Sequence, residues 1–411
     1  MRHVFLDHQS TTPVLPAVVE AMRPYLAEVF GNASSLHQHG LGARDAMATA
    51  RAQIAAFVNA GSPEEILFTS GGPEAANLAV KGATCANRHR GNHLVVSAIE
   101  HPAVLESVAW LERQGFAATR VGVDAQGSVA PDAVCAALTD RTILICVHHV
   151  NHELGTIEPI REVGQLAAER GIPLFVDATA SGGGLPIDVQ AMGASLLSLA
   201  PHRFYGPKGV GVLYHQSRAR LASILHAGVQ QAGKRSGTED VPAIVGAGVA
   251  AEIAARELPE RLEHTARLQR QLWDGLRSRV PFLRLNGPEP GPQRISTSLS
   301  FCPEFIDGVS LQLLLEAQGI AVANGPARAS TASEVSHVLK AIGLDETLAR
   351  GCVLLSLGMA NTVEEMDYVA RAFEKIVGEL RQRSPLWDDF QRGAVLLAPG
   401  TNAPAGPSTT T

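Results

Sequence analysis

The chain has 411 residues, of which 45% are hydrophobic, so it can bury a large core and we expect two domains. Its net charge of −6 and its lack of a long basic run exclude nucleic acid as a partner. No apolar stretch approaches the roughly 20 residues that a membrane span needs, and the start, MRHVFLDHQS, does not resemble a signal peptide. We therefore expect a cytoplasmic protein with no membrane partner, whose five scattered cysteines are buried, inert thiols.

The hydrophobic pattern divides the chain into four parts. Residues 1–15 predict an extended N-terminal arm, and residues 16–257 predict a large domain in which short apolar strands alternate with helices. Because those strands are almost continuously apolar, we predict an α/β fold with a mostly parallel seven-stranded sheet and helices on both faces. Residues 258–383 predict a smaller α+β domain, and residues 384–411, which end in a Pro-, Thr- and Ala-rich run, predict a disordered tail.

The boundary between the two predicted domains lies in a helical region. The pattern predicts one helix at residues 241–256 and a longer, charged helix at residues 258–280. We interpret the charges of residues 256–277 as a solvated face, with partner binding as the alternative.

Polar side chains follow several of the predicted strands. They are His101, His152, Asp177 and His202. Parallel sheets bind ligands at the carboxyl ends of their strands, so we expect these side chains to line a pocket.

Residues 196–214, LLSLAPHRFYGPKGVGVLY, contain the pattern around which the chain is organised. An apolar strand is followed by a polar break that includes His202 and Arg203, then by a glycine-rich turn and a second strand. This stretch resembles the cofactor site of the cysteine desulfurases, fold-type I enzymes of the class V aminotransferase superfamily that use pyridoxal phosphate (PLP). The same resemblance extends in order to about residue 380, through segments such as LDHQSTTPV, FGNASSLHQHG, TSGGPEAANLAVKG, SAIEHPAVLES, VHHVNHELG, FVDATAS and KRSGTEDVPAIVGAG.

The resemblance implies roles for several retained residues. Asp177 would face the pyridine nitrogen of PLP, where a carboxylate makes the ring an electron sink, and His101 would stack on the ring. The alternative for Asp177 is a carboxylate that caps the turn at the end of its strand. Other retained positions are Asn32, His37, His202 and Thr238. In such dimers the segment around Thr238 reaches the partner's site, so the resemblance implies a homodimer.

Three catalytic positions depart from the family pattern. Arg203 stands where the family has the PLP lysine, and a guanidinium stays protonated and cannot form an imine. Lys208, five residues away, is a poor replacement. Arg328 stands at the place of the nucleophilic cysteine, and Leu354 replaces the arginine that grips the substrate carboxylate.

Contacts to the cofactor are altered as well. The phosphate side has Pro73 and Ala200 in place of hydroxyl residues, and the ring side has Ala180 and His152 in place of a glutamine and an asparagine. Together with the changes at the base (Arg203), the nucleophile (Arg328) and the substrate clamp (Leu354), these changes affect all the main parts of the reaction. We therefore predict that the ancestral reaction is lost or replaced.

Histidines suggest one use of the altered pocket. His8, His101, His152 and His202 would approach Asp177 if the family geometry holds, and such a set can ligate zinc or another divalent metal. The preferred interpretation is a set of satisfied polar residues lining a vestigial cleft, because no HxH or HxxxH spacing supports coordination. The adjacent His148 and His149 cannot both face the pocket, since neighbours in a strand point to opposite faces.

Arginines suggest another use. Arg203 and Arg328 could hold a small anionic ligand, such as a phosphate or carboxylate metabolite. The alternative, slightly preferred, is that Arg203 fills the space of the cofactor and pairs with Asp177.

Three functions remain open at this point. The first is a degenerate desulfurase-like protein that acts as a ligand-binding or partner subunit. The second is an enzyme of the same fold that uses non-covalent PLP or a His-lined metal pocket. The third is an active cysteine desulfurase in which an external group compensates for the missing residues.

Overall fold

The computed structural model describes residues 2–323 and 335–402. The strands in this part of the chain are β1 (Val4–Leu6), β2 (Ile66–Thr69), β3 (His93–Ser97), β4 (Ala117–Val121), β5 (Thr142–Cys146), β6 (Leu174–Asp177), β7 (Leu196–Leu199), β8 (Gly211–His215), β9 (Leu283–Leu285), β10 (Ser298–Pro303), β11 (Ile320–Val322) and β12 (Val353–Ser356). The α-helices are α1 (Pro16–Met22), α2 (Pro24–Ala27), α3 (Gln38–Phe57), α4 (Gly72–Asn87), α5 (Pro102–Arg113), α6 (Pro131–Ala137), α7 (Ile160–Glu169), α8 (Val241–Arg279), α9 (Gly308–Ala317), α10 (His337–Ala341), α11 (Glu346–Arg350), α12 (Val363–Arg381) and α13 (Pro385–Gln391).

The central sheet has seven strands in the order β2-β8-β7-β6-β5-β3-β4. The pairs from β7 through β6, β5 and β3 to β4 are all parallel, and β8 alone runs antiparallel to its two neighbours. The predicted mostly parallel seven-stranded sheet is confirmed. Its parallel strands all end at one edge, and this edge carries the candidate site.

Helices cover both faces of this sheet, as predicted. One face packs against α4 and α5, and the other packs against α3, α6, α7 and the first half of α8. The strands are buried on both sides, which explains why their sequences are almost uniformly apolar.

The smaller domain is built on the antiparallel sheet β12-β10-β9, which packs against α9, α12 and the second half of α8. The N-terminal arm belongs structurally to this domain. Its strand β1 pairs in parallel with β11, so that Val4 lies opposite Ile320. The arm then crosses to the large domain, and residues near its end line the cleft between the two domains.

A single helix joins the two domains. The sequence predicts a break near residue 257, but α8 runs without interruption from Val241 to Arg279 with Pro259 inside it. The proline removes one backbone hydrogen bond, yet buried residues before and after it anchor the helix in both hydrophobic cores. Among the described residues, no helix is both long enough and apolar enough to cross a membrane.

The expected disorder of the C-terminal segment is wrong for the residues that the structure describes. Helix α13 places Trp387 and Phe390 against Phe282 and Phe305, with ring centroids 4.7–5.5 Å apart. The chain after α13 returns to β9, where Phe282 donates its N–H to the carbonyl of Asn402 at 2.9 Å. The composition near the end of the chain resembles a flexible tail, but a local pattern cannot reveal aromatic partners that lie about 80 to 110 residues upstream. Residues 403–411 lie outside the described chain.

Candidate functional site

The predicted polar residues lie at the carboxyl edge of the central sheet. Asp177 is the last residue of β6, while His101 and His152 follow β3 and β5. One carboxylate oxygen of Asp177 accepts hydrogen bonds from the backbone N–H of Thr179 and from the hydroxyl of Ser198, both at 2.9 Å. Asp177 therefore caps the turn at the end of its strand, and a role toward a ring nitrogen stays a prediction.

His101 and His152 form a contacting pair. Their rings meet edge to face with centroids 5.1 Å apart, and Nδ1 of His101 accepts the N–H of Ala103 at the start of α5. Burial, together with the neighbouring histidines and Arg203, lowers the pKa of His152 well below its ordinary value. His152 is therefore neutral at neutral pH.

The structure does not assemble the histidine cluster that a metal site would need. Within residues 2–323 and 335–402, no three His, Cys, Asp or Glu side chains are arranged to hold a metal ion. His8 packs instead against Phe5 and Tyr205. Burial lowers the pKa of His8, which makes its imidazole a neutral wall of the cleft between the domains.

The N-terminal arm holds the turn that carries Arg203. The short 3₁₀ helix Pro201–Arg203 follows β7, and the carbonyl of His202 accepts both the N–H and the hydroxyl of Thr12 at 2.9 Å. The same hydroxyl accepts the N–H of Tyr205 at 2.8 Å. Lys208 lies on the exposed part of the turn, so its amine does not take the place of the missing lysine.

The expected pair between Arg203 and Asp177 is not observed. Among the ion pairs of the described residues, none joins these two side chains. Arg203 lines a cavity on the other side of the turn, to which Asp177 does not contribute. One oxygen of Asp177 is bonded instead to the N–H of Thr179 and to the hydroxyl of Ser198.

We call this cavity the interdomain cavity. The space in it that a water-sized molecule can reach is about 40 Å³. His8 from the arm and Arg203 from the turn lie on its wall, together with Arg261 from α8. Gly183 lets the wall close, because its φ of +71° favours glycine and a Cβ there would lie 2.5 Å from the Cβ of Phe204. The cavity is therefore a built feature where arm, turn and helix meet.

Arg261 lines the cavity. Its place in the charged stretch of residues 256–277 predicts a solvated side chain, and this prediction is wrong for Arg261. The residue is only 4% exposed. Its Nη2 donates to Glu257 at 3.0 Å, and its guanidinium lies 5.1 Å from the centre of the Tyr205 ring. The Glu257–Arg261 spacing of one helical turn was visible in the sequence, but the burial depends on how α8 crosses the domain boundary.

The sequence pattern also did not predict a buried ionic network around His148. Nδ1 of His148 lies 2.8 Å from Glu100, and its Nε2 lies 3.3 Å from Glu158. His149 points the other way and contacts the hydroxyl of Ser181 at 2.9 Å, which confirms that the two histidines face opposite sides.

The donors at the carboxyl edge do not fit a covalently held PLP. Arg203 supplies no amine, and Pro73 in the first turn of α4 has no N–H. The N–H of Ser70 is already bonded to the carboxylate of Glu74 at 2.6 Å, and the same carboxylate pairs with Arg235 at 2.9 Å. Ala200 adds a methyl group beside this helix start, within 3.4 Å of a Cβ built at position 72.

The remaining predicted residues lie elsewhere. Leu354 is buried in β12 opposite Ser300 and has no group for a substrate carboxylate. Arg328 lies outside the described residues. Asn32 and Thr238 are exposed and do not line the interdomain cavity, and whether Thr238 approaches a second subunit stays a prediction.

Fold and site together define a class of protein. The sequence model of the family "Aminotransferase class-V" matches residues 4–369, which span the central sheet and nearly all of the smaller domain. The chain belongs to this family, and within it to the cysteine desulfurase family.

Individual relatives agree with this assignment. The chain is 41% identical to the cysteine desulfurase IscS of Clostridium botulinum (strain Kyoto / Type A2), over 95% of this chain and 98% of the relative. It is 44% identical to the IscS of Methanosarcina thermophila, over 93% of this chain and 94% of the relative. Among solved structures, a NifS-like protein superposes with a TM-score of 0.86 at 33% identity, covering 92% of this chain and 100% of the other.

Proposed function

We propose that this chain is a degenerate member of the cysteine desulfurase family, which no longer transfers sulfur by PLP chemistry and acts as a ligand-binding subunit. The observation that carries the proposal is Arg203 at the place of the PLP lysine. A guanidinium has a pKa above about 12 and no free electron pair on an amine, so it cannot form the imine. Within the described residues the only lysine of the same turn, Lys208, is exposed.

The surrounding residues support the proposal. Pro73 and Ala200 lack the donors that a phosphate at the start of α4 would use, and Leu354 removes the carboxylate clamp. These positions lie on three different elements. One substitution could be compensated locally, but compensation at all of them would require separate solutions. We further propose a cytoplasmic homodimer, by analogy with the family.

Similarity to the IscS proteins favours a second candidate, an active cysteine desulfurase. The identity of 41% over 95% of the chain is the specific observation for it. This candidate requires an amine and a thiolate from outside the altered site, since no cysteine of this chain lies near residue 328 in sequence. Overall identity reflects the scaffold, whereas the reaction depends on a few groups, so we prefer the degenerate function.

The test uses the protein as purified. Reduction with borohydride fixes any imine between PLP and an amine, and mass spectrometry of the intact chain then detects the added mass. We expect no addition, and no sulfide release from L-cysteine. A stoichiometric PLP adduct on a lysine, or catalytic sulfide release that is lost in Asp177→Ala, would show that the active-enzyme candidate is correct.

A further inference from the structure

Cys302 and Cys352 lie opposite each other in the sheet of the smaller domain. Strands β10 and β12 run antiparallel with Phe301 opposite Val353, and the next pair along the two chains is Cys302 and Cys352. Side chains that lie opposite each other in such a pair project from the same face of the sheet. Both cysteines are at most 2% exposed, and their thiols are in hydrogen-bond contact.

The register makes these two cysteines a non-hydrogen-bonded pair. The N–H of Leu354 donates to the carbonyl of Ala323 at 2.9 Å, and the N–H of Ala323 donates back at 3.1 Å, so Leu354 turns its backbone groups away from β10. Cys352 precedes Leu354 by two residues, and the two kinds of pair alternate along an antiparallel strand. The Cα atoms of a non-hydrogen-bonded pair are about 4.5 Å apart, which lies within the roughly 4.4–6.8 Å that a disulfide spans.

Asn286 holds the two sulfur atoms at one donor group. Its Nδ2 donates to Sγ of Cys302 at 3.4 Å and to Sγ of Cys352 at 3.3 Å, and its side chain is fully buried. The hydrogen bond with the Cys302 thiol, followed by burial, raises the pKa of Cys352 well above its ordinary value. The pair therefore stays in the thiol form at neutral pH until an oxidant reaches it.

We propose that Cys302 and Cys352 form a redox site, at which hydrogen peroxide converts the two thiols into a disulfide. One sulfur, as its thiolate, attacks the O–O bond of the peroxide and becomes a sulfenic acid, and hydroxide leaves. The second thiol attacks the sulfenic sulfur, and the released hydroxyl group and the two thiol protons leave as water. Two thiols and one peroxide thus give one disulfide and two water molecules. A small uncharged oxidant suits sulfur atoms with almost no exposed surface, whereas a bulky disulfide reagent needs direct access to them.

The disulfide would clamp the smaller domain. It closes a loop of about 50 residues, which includes α9, β11, α10 and α11. A cross-link over such a length restricts the unfolded chain, so it should lower the equilibrium constant of unfolding by about 100- to 1,000-fold. The two cysteines belong to the smaller domain, whereas Asp177 and Arg203 belong to the large one. The inference is therefore independent of the proposed function.

The experiment treats the folded, full-length protein with a small excess of hydrogen peroxide. The remaining thiols are then blocked with N-ethylmaleimide in denaturant, and mass spectrometry without reduction identifies linked peptides. We expect two of the five thiols to be lost and a peptide to appear in which Cys302 is joined to Cys352. Urea denaturation should show the lower equilibrium constant of unfolding for the oxidised protein, and dithiothreitol should reverse both changes. A linked protein of unchanged stability would refute the clamp.

Cys146→Ser is the matched control, because Cys146 is equally buried but lies in the central sheet. It should form the same disulfide, whereas Cys302→Ser should form none. If Cys302→Ser fails to fold, as judged by near-UV circular dichroism, Cys352→Ser replaces it, and the peptide map of the wild type tests the pair without any variant. The proposal is overturned if peroxide oxidises Cys85 or Cys135 but leaves the pair as thiols, or if the linked peptide forms only in denaturant. Neither result depends on PLP or sulfide release.

Discussion

Nδ1 of His148 lies 2.8 Å from Oε1 of Glu100, and both side chains are almost completely removed from solvent. The backbone N–H of His148 donates to the same oxygen at 2.7 Å. On its other side His148 faces Glu158, whose second oxygen accepts the N–H of Val129 at 2.8 Å. The histidine thus joins two buried carboxylates from separate segments just behind the carboxyl edge of the sheet. This arrangement is the basis of the first prediction.

Replacement of His148 should destabilise the protein in a pH-dependent way. Burial alone would lower the pKa of His148, but the charge of Glu100, its hydrogen bond and the neighbouring Glu158 raise it from 6.5 to about 10. Because the folded pKa is the higher one, the stabilisation is complete below pH 6.5 and is lost as the pH rises toward 10. We expect His148→Gln to lower the free energy of unfolding by about 3–5 kcal/mol at pH 6, and by much less near pH 10. Urea denaturation at several pH values measures this.

His149 is the internal control for that experiment. Burial, followed by the charge of His148, lowers its pKa from 6.5 to about 4, so its folded state is neutral. The stability that it contributes is therefore present above pH 6.5 and lost as the pH falls through 4. His149→Gln should show the opposite trend to His148→Gln. The same trend in both variants would contradict the assigned network.

Arg203→Lys should not restore sulfur transfer. The change supplies an amine, but Leu354 still lacks the group that grips a substrate carboxylate and Arg328 still replaces the nucleophile. We expect sulfide release from L-cysteine in the presence of PLP to remain at the level of the wild type. Lys208→Arg is the control for reaction of PLP with the exposed amine of the same turn. Turnover in Arg203→Lys alone would mean that the other departures are tolerated.

Trp387→Ala should detach the C-terminal helix from the smaller domain. The side chain packs on Phe282, Phe305 and Phe390, and the guanidinium of Arg381 lies 5.4 Å from its ring. Loss of these contacts should lower the free energy of unfolding by about 2 kcal/mol. Leu396→Ala changes a side chain that is 86% exposed and should have an effect within about 0.5 kcal/mol. Urea denaturation compares the two variants, and equal stability would show that α13 does not contribute.

Val229→Glu should weaken the proposed homodimer. Val229 is 84% exposed in the single chain and lies close in sequence to the segment around Thr238 that is expected at a partner's site. Burial of a valine contributes about 1.5–3 kcal/mol, so the dissociation constant should rise by about 10-fold or more. Sedimentation equilibrium of the wild type and the variant measures this, with Leu396→Glu as an exposed control. An unchanged dissociation constant, or a monomeric wild type, contradicts the proposed interface.

The sequence by itself determined the architecture of the large domain and the identity of the altered positions. Apolar runs such as residues 196–199 predict buried strands because the period of side chains along a strand is a local property. The exchange at position 203 can be judged without coordinates, because whether a group forms an imine depends on the side chain itself. Asp177 ends its strand at the carboxyl edge of the sheet because a strand and the residue that follows it are likewise read from the local sequence.

Only the tertiary structure decided which side chains meet. Arg261 belongs to a charged helical stretch, and its burial follows from the continuation of α8 past Pro259 across both domains. Glu100 and His148 are 48 residues apart in sequence and meet because β3 and β5 are adjacent in the sheet. The same holds for the aromatic packing of α13, whose partner rings come from distant segments. Periodicity and composition describe a residue's own element, whereas burial and pairing depend on the neighbours that the folded chain brings to it.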